Sequence, residues 1–272
     1  MNSLVEIEGR TVRGWLFRGL IATLFCLLVL PLGIVVATAF DASSAVVFPP
    51  TELSGRWFGE LLASPTWLRS LLNSLVVATG TSALSMLVGT TAALGLRRYG
   101  GRFRGALVGL ALLPLLVPGV VIGVSLLTFF SVFGLQQSYL ALVLAHSLWA
   151  TPLTFSVMQS SFARFDWRRH EAARDLGASR LVAFRAVVVP EVRTGLVVAA
   201  LVAFIVSLQE FVMALFLSGP DTRTVPVQAW NSLRQSLDPL VSVVSTILLA
   251  AVVLLVLVGT ALAGIERLAT DA

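Results

Sequence analysis

Lysine is absent from this chain of 272 residues, so all nineteen of its basic residues are arginine. A Walker A loop sets a lysine on the nucleotide phosphates, and Schiff-base catalysis starts from a lysine amine. Neither is open to this chain, which is therefore not a P-loop ATPase by itself. Cysteine is nearly absent too: Cys26 stands alone in an apolar run and has no intrachain partner for a disulfide. Such a residue ordinarily packs as a small apolar side chain. With that one cysteine and two separated histidines, His146 and His170, no metal-ligand spacing can be assembled. Charge is scarce as well, at 12% of residues, about half the share usual in a soluble domain.

Apolar residues fill the space that charge leaves. They make up 57% of the chain, whose mean hydropathy is +0.93. The long apolar runs imply an all-α polytopic membrane protein, and the length suits one polytopic domain over residues 1–272. Six segments are long enough to cross a hydrocarbon core of about 30 Å at about 1.5 Å per residue: 15–40, 70–96, 105–133, 139–158, 194–217 and 240–264. The third contains Pro114 and Pro118 and is expected to be kinked, tilted or broken at its start. The first has a competing reading as a signal peptide, because Arg10, Arg13 and Arg18 precede it and Ala37-Thr38-Ala39 resembles a cleavage site. Its apolar run is longer than a typical signal core, which favours a retained span.

Arginine placement orients these spans. With the N-terminus in the cytoplasm, the inside segments hold fifteen arginines, including Arg10, Arg13, Arg18, Arg97, Arg98, Arg102, Arg104, seven from Arg164 to Arg193, and Arg267. The outside segments hold four: Arg56, Arg69, Arg223 and Arg234. That bias sets both termini in the cytoplasm. The net charge of +5 then reflects membrane topology rather than nucleic-acid binding. On the outer side, the loop 41–69 carries Phe48-Pro49-Pro50, Trp57, Phe58 and Trp67, residues suited to anchoring at the membrane interface.

One cytoplasmic stretch departs from its apolar surroundings: HEAARDLGASRLVAFRAVVVPE, from His170 to Glu191. The seven arginines of 164–193 would each cost about 2.5–3.5 kcal/mol at mid-membrane, so the segment lies in water or against another protein. Its residues favour a short helix, a bend at Gly177, and a second short helix, with Pro190 at the start of the fifth span. On helical spacing Ala172, Ala173, Leu176 and Arg180 share a face, with Glu171 toward the polar side. Small residues there, with Leu181 and Phe184 beyond, suit a docking element in which Phe184 fills a partner's pocket. Helix chemistry alone leaves an amphipathic helix on anionic lipid equally open.

Inside the predicted spans stands a single carboxylate, Glu210. Counted from Thr194 it lies about 24 Å along the fifth span, and an intramembrane acid usually faces a bundle interior or an aqueous cavity. Ser207 and Ala214 share its face by helical spacing. Glu210 is thus expected either to line a pathway, in contact with a cationic solute, or to hydrogen-bond a neighbouring helix. Gly105-x-x-x-Gly109 and Gly119-x-x-x-Gly123 fit close helix packing.

Glu171-Ala172-Ala173, three residues, Gly177, nine residues, then Val187-x-Val189-Pro190 resembles the signature EAA-x3-G-x9-I-x-L-P of type I, binding-protein-dependent ABC-importer permeases, with valines at the usual Ile and Leu positions. Asn73-Ser74-Leu75, Pro114-x-x-x-Pro118 and Gly123 are also similar to that family. Gln209-Glu210-Phe211, Ser218-Gly219-Pro220 and Thr224-Val225-Pro226-Val227-Gln228 resemble its polyamine-type second permeases, in which Asp-Glu-Phe often stands where this chain has Gln209-Glu210-Phe211. The resemblance implies six transmembrane helices with a cytoplasmic coupling helix between the fourth and fifth. It implies that Glu171, Ala172, Ala173, Leu176, Gly177, Arg180, Phe184 and Pro190 couple to an ATPase, and that Glu210, Ser207, Phe211 and Pro118 belong to the pathway. Partners would be an ABC ATPase dimer, a second permease chain, an extracytoplasmic solute-binding protein and membrane lipid, in a bacterial or archaeal inner membrane. This chain would bind no cofactor and catalyse nothing, ATP and Mg being used by the ATPase. A polyamine is the leading solute, with aminophosphonate and ferric ion as alternatives.

Two rivals can be weighed against this reading. Gly123-Val124-Ser125 with His146 offers the nucleophile and base of an intramembrane hydrolase, without the second glycine of a nucleophile elbow. A secondary transporter would need more intramembrane carboxylates than Glu210 and leaves the charged loop without a purpose.

Overall fold

A computed structural model describes residues 12–44, 46–235 and 238–270. Arg10 lies outside the described residues, as do both chain termini, and the side chains of Arg13 and Arg267 are likewise not described. Among the described residues every regular element is helical, and one isolated bridge pairs Asp41 with Leu53. The chain divides into two compact units, Met1–Ala63 with Ser232–Leu249, and Ser64–Asn231 with Ala250–Ala272.

The first unit contains helix α1 (Val12–Thr38), a loop, and helix α2 (Arg56–Ala63). The α1 surface is exposed over almost its whole length, as an apolar helix needs only lipid around it. The loop after it closes on Asp41, whose carboxylate accepts hydrogen bonds from the Ser43 hydroxyl and from the Thr51 N–H (3.1 Å) and hydroxyl (3.3 Å). The Trp57 indole donates to the Asp41 carbonyl at 2.9 Å, which ties α2 back to the end of α1. Those Ser43 and Thr51 donors, the Ser43 hydroxyl foremost, hold the Asp41 carboxyl below its usual pKa.

The second unit is built on α3 (Pro65–Tyr99), α6 (Tyr139–Arg164) and α9 (Val189–Gln209), which pack on one another in all three pairs. Helix α3 starts at Pro65 behind Ser64, whose hydroxyl accepts from the Trp67 N–H, a cap followed by a proline where a missing N–H costs nothing. Its buried face then repeats small residues about every fourth position: Ser74, Ala78, Ser85, Gly89 and Ala93. Lipid supplies no hydrophobic drive between helices, so close backbone approach must supply the attraction. At Gly89 that approach is tight, since a Cβ there would lie 2.9 Å from the Phe155 backbone nitrogen of α6. Gly195 of α9 is tighter still, 2.1 Å from the Ser161 hydroxyl by the same measure.

The core of this unit is layered. One apolar cluster gathers Val77, Ile122, Phe130, Leu142, Met213 and Leu217, and another gathers Leu96, Phe155, Met158, Phe162, Val188 and Val192. Between the two along α3 and α6 fall buried polar groups: Thr81 and Ser85, then His146 and Thr154.

Among the described residues five helices are long and apolar enough to cross a membrane, including Tyr139–Arg164 and Arg180–Gln209, and a bent pair counts as a sixth if it forms one span. That pair is Gly101–Leu116 with Gly119–Val132, turned by 89°. It comprises a 3-10 turn, α4 (Arg104–Leu112), a second 3-10 turn (Leu113–Leu116) and α5 (Gly119–Val132). Val117 and Pro118 are extended, with ψ of 128° and 132°. Pro114 and Pro118 remove two helical donors one turn apart, and Pro118 disfavours helical backbone at Val117, so the chain turns in the middle of the expected 105–133 segment. The expected 194–217 segment also differs: α9 stops at Gln209, and a separate helix α10 covers Val212–Leu217.

Candidate coupling and pathway sites

The charged loop folds as α7 (Trp167–Asp175), a turn, and α8 (Arg180–Ala183). Asp166 caps α7 by accepting from the Arg168 N–H. Gly177 has φ +92°, a conformation in which a Cβ is strained, and its N–H closes on the Arg174 carbonyl while that of Ala178 closes on Ala173. This is a glycine-terminated helix end. Ser179 then caps α8 through the Val182 N–H. A π turn, Phe184–Val188, joins α8 to α9.

Trp167 fastens the loop to the bundle. Its indole donates to the Phe162 carbonyl at 3.0 Å, the Arg97 guanidinium lies 4.6 Å over its ring, and Phe165 meets it edge-on at 5.0 Å. Arg169 pairs with Glu191 at 2.8 Å. Beyond these anchors the loop stands free. Leu176 is 90% exposed, and Leu181 and Val182 are exposed with it. Glu171, Ala172, Gly177 and Arg180 are exposed and Ala173 is half-buried. Phe184, expected to reach outward, is half-buried against the lower apolar cluster. The apolar groups offered outward are Leu176, Leu181 and Val182. Trp167 and Arg97 escaped the sequence reading, because an aromatic at a helix start and an arginine at a distant helix end carry no shared motif. Pro190, expected at the start of a span, lies inside a continuous helical run and is exposed.

Glu210 occupies a break rather than a helix face. Its backbone is extended (φ −68°, ψ 118°), and its two carboxylate oxygens accept from the N–H groups of Met213 (2.8 Å) and Ala214 (2.9 Å). Ala214 is therefore a donor to Glu210 and not its helical neighbour. The Glu210 side chain is 1% exposed. His146 of α6 lies beside it, Nε2 to Oε2 at 3.3 Å but outside hydrogen-bond geometry, while the other ring nitrogen is 2.8 Å from the Ser207 hydroxyl. Ser207 and Glu210 thus come together through a histidine that the sequence paired with Ser125; Ser125 is exposed on α5. The Phe211 ring meets that of Trp230 with centroids 5.5 Å apart and a tilt of 56°. Trp230 lies on α11 (Val225–Gln235). Pro118 is exposed at the α5 break.

The two breaks are neighbours. A Cβ on Gly119 would lie 3.0 Å from the Trp149 ring and 3.5 Å from Val212. One on Gly123 would lie 2.8 Å from Phe216 and 3.4 Å from the Met213 Cα. Gly119 and Gly123 therefore let α5 seat on α10. Gly105 and Gly109 have nothing within 4 Å.

The motifs near the Pro65 end of α3 also meet. The Asn73 amide donates to the carbonyls of Asp221 and Arg223, each at 2.9 Å, and accepts from the Tyr139 hydroxyl at 2.6 Å. The Ser74 hydroxyl accepts from the Val225 N–H at 2.8 Å. Thr222 accepts from the Gly219 N–H and donates to the Gln137 carbonyl. The segment 218–225 is thereby sewn to α3 and to the start of α6.

Known proteins match this arrangement. Residues 85–267 fit the family described as binding-protein-dependent transport system inner membrane component. The putrescine transport system permease protein PotI of Escherichia coli (strain K12) is 33% identical over 237 residues, covering 84% of this chain and 83% of that one. The spermidine/putrescine transport system permease protein PotC of the same organism is 26% identical over 257 residues, covering 94% and 95%. Among solved structures, a chain of a bacterial ABC transporter that imports alginate superposes with a TM-score of 0.67 at 16% identity, covering 95% of this chain and 98% of that one. The chain belongs to the binding-protein-dependent transport system inner membrane component family. It is a permease subunit of an ABC importer, and so one component of an assembly with a binding protein and a second permease.

Proposed function

We propose that this subunit forms half of the pathway of an importer for a polyamine and takes its drive from a separate ABC ATPase dimer through the segment Glu171–Val182. The observation that carries this reading is the exposed tip of that segment: Leu176 at 90% exposure at the end of α7, with Leu181 and Val182 exposed on α8, while Trp167 and Arg169 hold the start of α7 to the bundle. An apolar tip in water has no reason to persist unless a partner covers it. The matching half is a related second permease, and an extracytoplasmic binding protein delivers the solute. The chain itself holds no cofactor and performs no catalysis; ATP and Mg act on the ATPase. Its loops 97–104 and 164–193 and both termini lie in the cytoplasm of a bacterial cell, as the arginine bias supports. The relatives named for putrescine and spermidine support a polyamine. ATP binding moves the tip because the ATPase dimer contacts it differently when open and when closed, and only such a difference shifts a population.

The test is purification of the tagged chain with its ATPase and second permease, followed by uptake of labelled putrescine and spermidine into proteoliposomes. Leu176→Asp and Leu181→Asp are expected to lose the ATPase while keeping the second permease. Retention of the ATPase by both variants overturns the docking reading, and absence of amine uptake by the intact complex overturns the polyamine.

A further inference from the structure

Gln209 is the last residue of α9, and its neighbour Glu210 is spent. Glu210 has both oxygens on backbone N–H groups and its side chain is 1% exposed. Gln209 is exposed, and its side chain has no hydrogen-bond partner within the described residues. It lies about 22 Å along α9 from Thr194, at a depth where an amide facing lipid is unfavourable and where non-helical backbone survives only in protein or beside an aqueous cavity. A second interruption adjoins it: Gly119, directly after the extended Val117-Pro118, packs against Val212. Two residues beyond Gln209, the Phe211 ring meets that of Trp230 at a tilt of 56°, and Trp230 remains 42% exposed.

We infer that the paired breaks at Val117–Pro118 and Gln209–Phe211 form the solute-contact point of this subunit, with Gln209 as the group that meets the solute and Glu210 as the residue that holds the break open. The inference rests on the polyamine reading for the identity of the solute only. An ammonium group donates to the Gln209 amide oxygen and lies favourably over the face of Trp230. A neutral amide attracts each ammonium through a dipole alone, so this subunit discriminates weakly by total charge. A carboxylate at the same place would favour amines of higher charge.

Accessibility tests the place, and transport tests the chemistry. In a Cys26→Ala background, Gln209→Cys is expected to react with a charged, water-soluble methanethiosulfonate at least about ten times faster than Leu254→Cys, an exposed apolar position of the last helix (α12, Leu240–Thr270). Equal inertness of the two overturns the inference, whatever the complex transports. In proteoliposomes, Gln209→Leu is expected to lower amine uptake about tenfold with no change in complex yield or thermal midpoint, and Gln209→Asp to raise the spermidine-to-putrescine uptake ratio. An unchanged rate in Gln209→Leu with an unchanged ratio in Gln209→Asp overturns solute contact. If the unmodified complex takes up neither amine while Gln209→Cys reacts fast, the polyamine reading falls and the contact point stands.

Discussion

Around Pro190 the helix continues, and at Glu210, where no proline stands, it ends. Pro190 cannot give an N–H to the carbonyl four residues back, and its ring crowds that carbonyl. The chain answers with the π turn Phe184–Val188, in which the Val189 N–H reaches the Phe184 carbonyl, and the helical run from Arg180 to Gln209 is preserved. At Glu210 the main chain is extended, and the freed first donors of α10 go to the Glu210 carboxylate. Of these two places, the helix stops at the one where a side chain is ready to take its unpaired groups, not at the one where the proline sits.

The most damaging way to break that contrast is Glu210→Ala. It leaves the Met213 and Ala214 N–H groups unpaired at about 1–3 kcal/mol each, so a loss of several degrees in thermal midpoint and a fall in purified complex are expected, measured by thermal unfolding in detergent. Gly123→Val comes next. A side chain there meets Phe216 at 2.8 Å, and overpacking of this kind costs about 1–3 kcal/mol. The same change at Gly105, with nothing within 4 Å, is expected to leave the thermal midpoint where it was.

Pro190→Ala restores the missing donor. It is expected to change stability by no more than about 1 kcal/mol while lowering solute-stimulated ATP hydrolysis, because α8 is re-aimed as the π turn relaxes. An unaltered ATPase rate would show that the turn has no part in coupling. The smallest effect belongs to Asp41, a carboxylate that accepts a backbone N–H as Glu210 does, but in the loop after α1. Its pKa is lowered chiefly by the Ser43 hydroxyl. The stabilisation is therefore present above the unfolded value of about 3.8 and is lost as the pH falls through the lower folded value. Asp41→Asn is expected to raise proteolytic nicking of the loop at neutral pH and to make no difference once the medium is acidic enough to protonate the carboxylate.

Much of this could be read from residue order. Apolar runs separated by arginines declare an all-α membrane fold, and Glu171-Ala172-Ala173 with Gly177 and Pro190 mark out the segment proposed above to couple to an ATPase. Asn73-Ser74 and the stretch from Ser218 to Gln228 were visible as motifs, although nothing in their spacing reveals that they hydrogen-bond to each other across about 150 positions. The side on which Phe184 falls was not legible. Helical spacing assumes one period throughout, and a π turn inserted between α8 and α9 rotates every residue before it. Nor was the break at Glu210 legible. Leu208, Gln209, Phe211 and Val212 include neither proline nor glycine, and the helix ends because a carboxylate finds donors three and four residues ahead, beside a histidine from α6. Such a choice is settled by packing, which spacing does not record.

The helix from Arg180 to Gln209 contains thirty residues and so measures about 45 Å, with its π turn close to one end. It works as a strut. Past the π turn, α9 runs from Val189 to Gln209 without a further interruption, so a push that the turn passes on is carried to the non-helical step at Glu210. On the coupling proposed above, stroke and selectivity then sit at the two ends of a single stiff part. Lengthening or softening that part between residues 192 and 206 would uncouple hydrolysis from transport without touching either end.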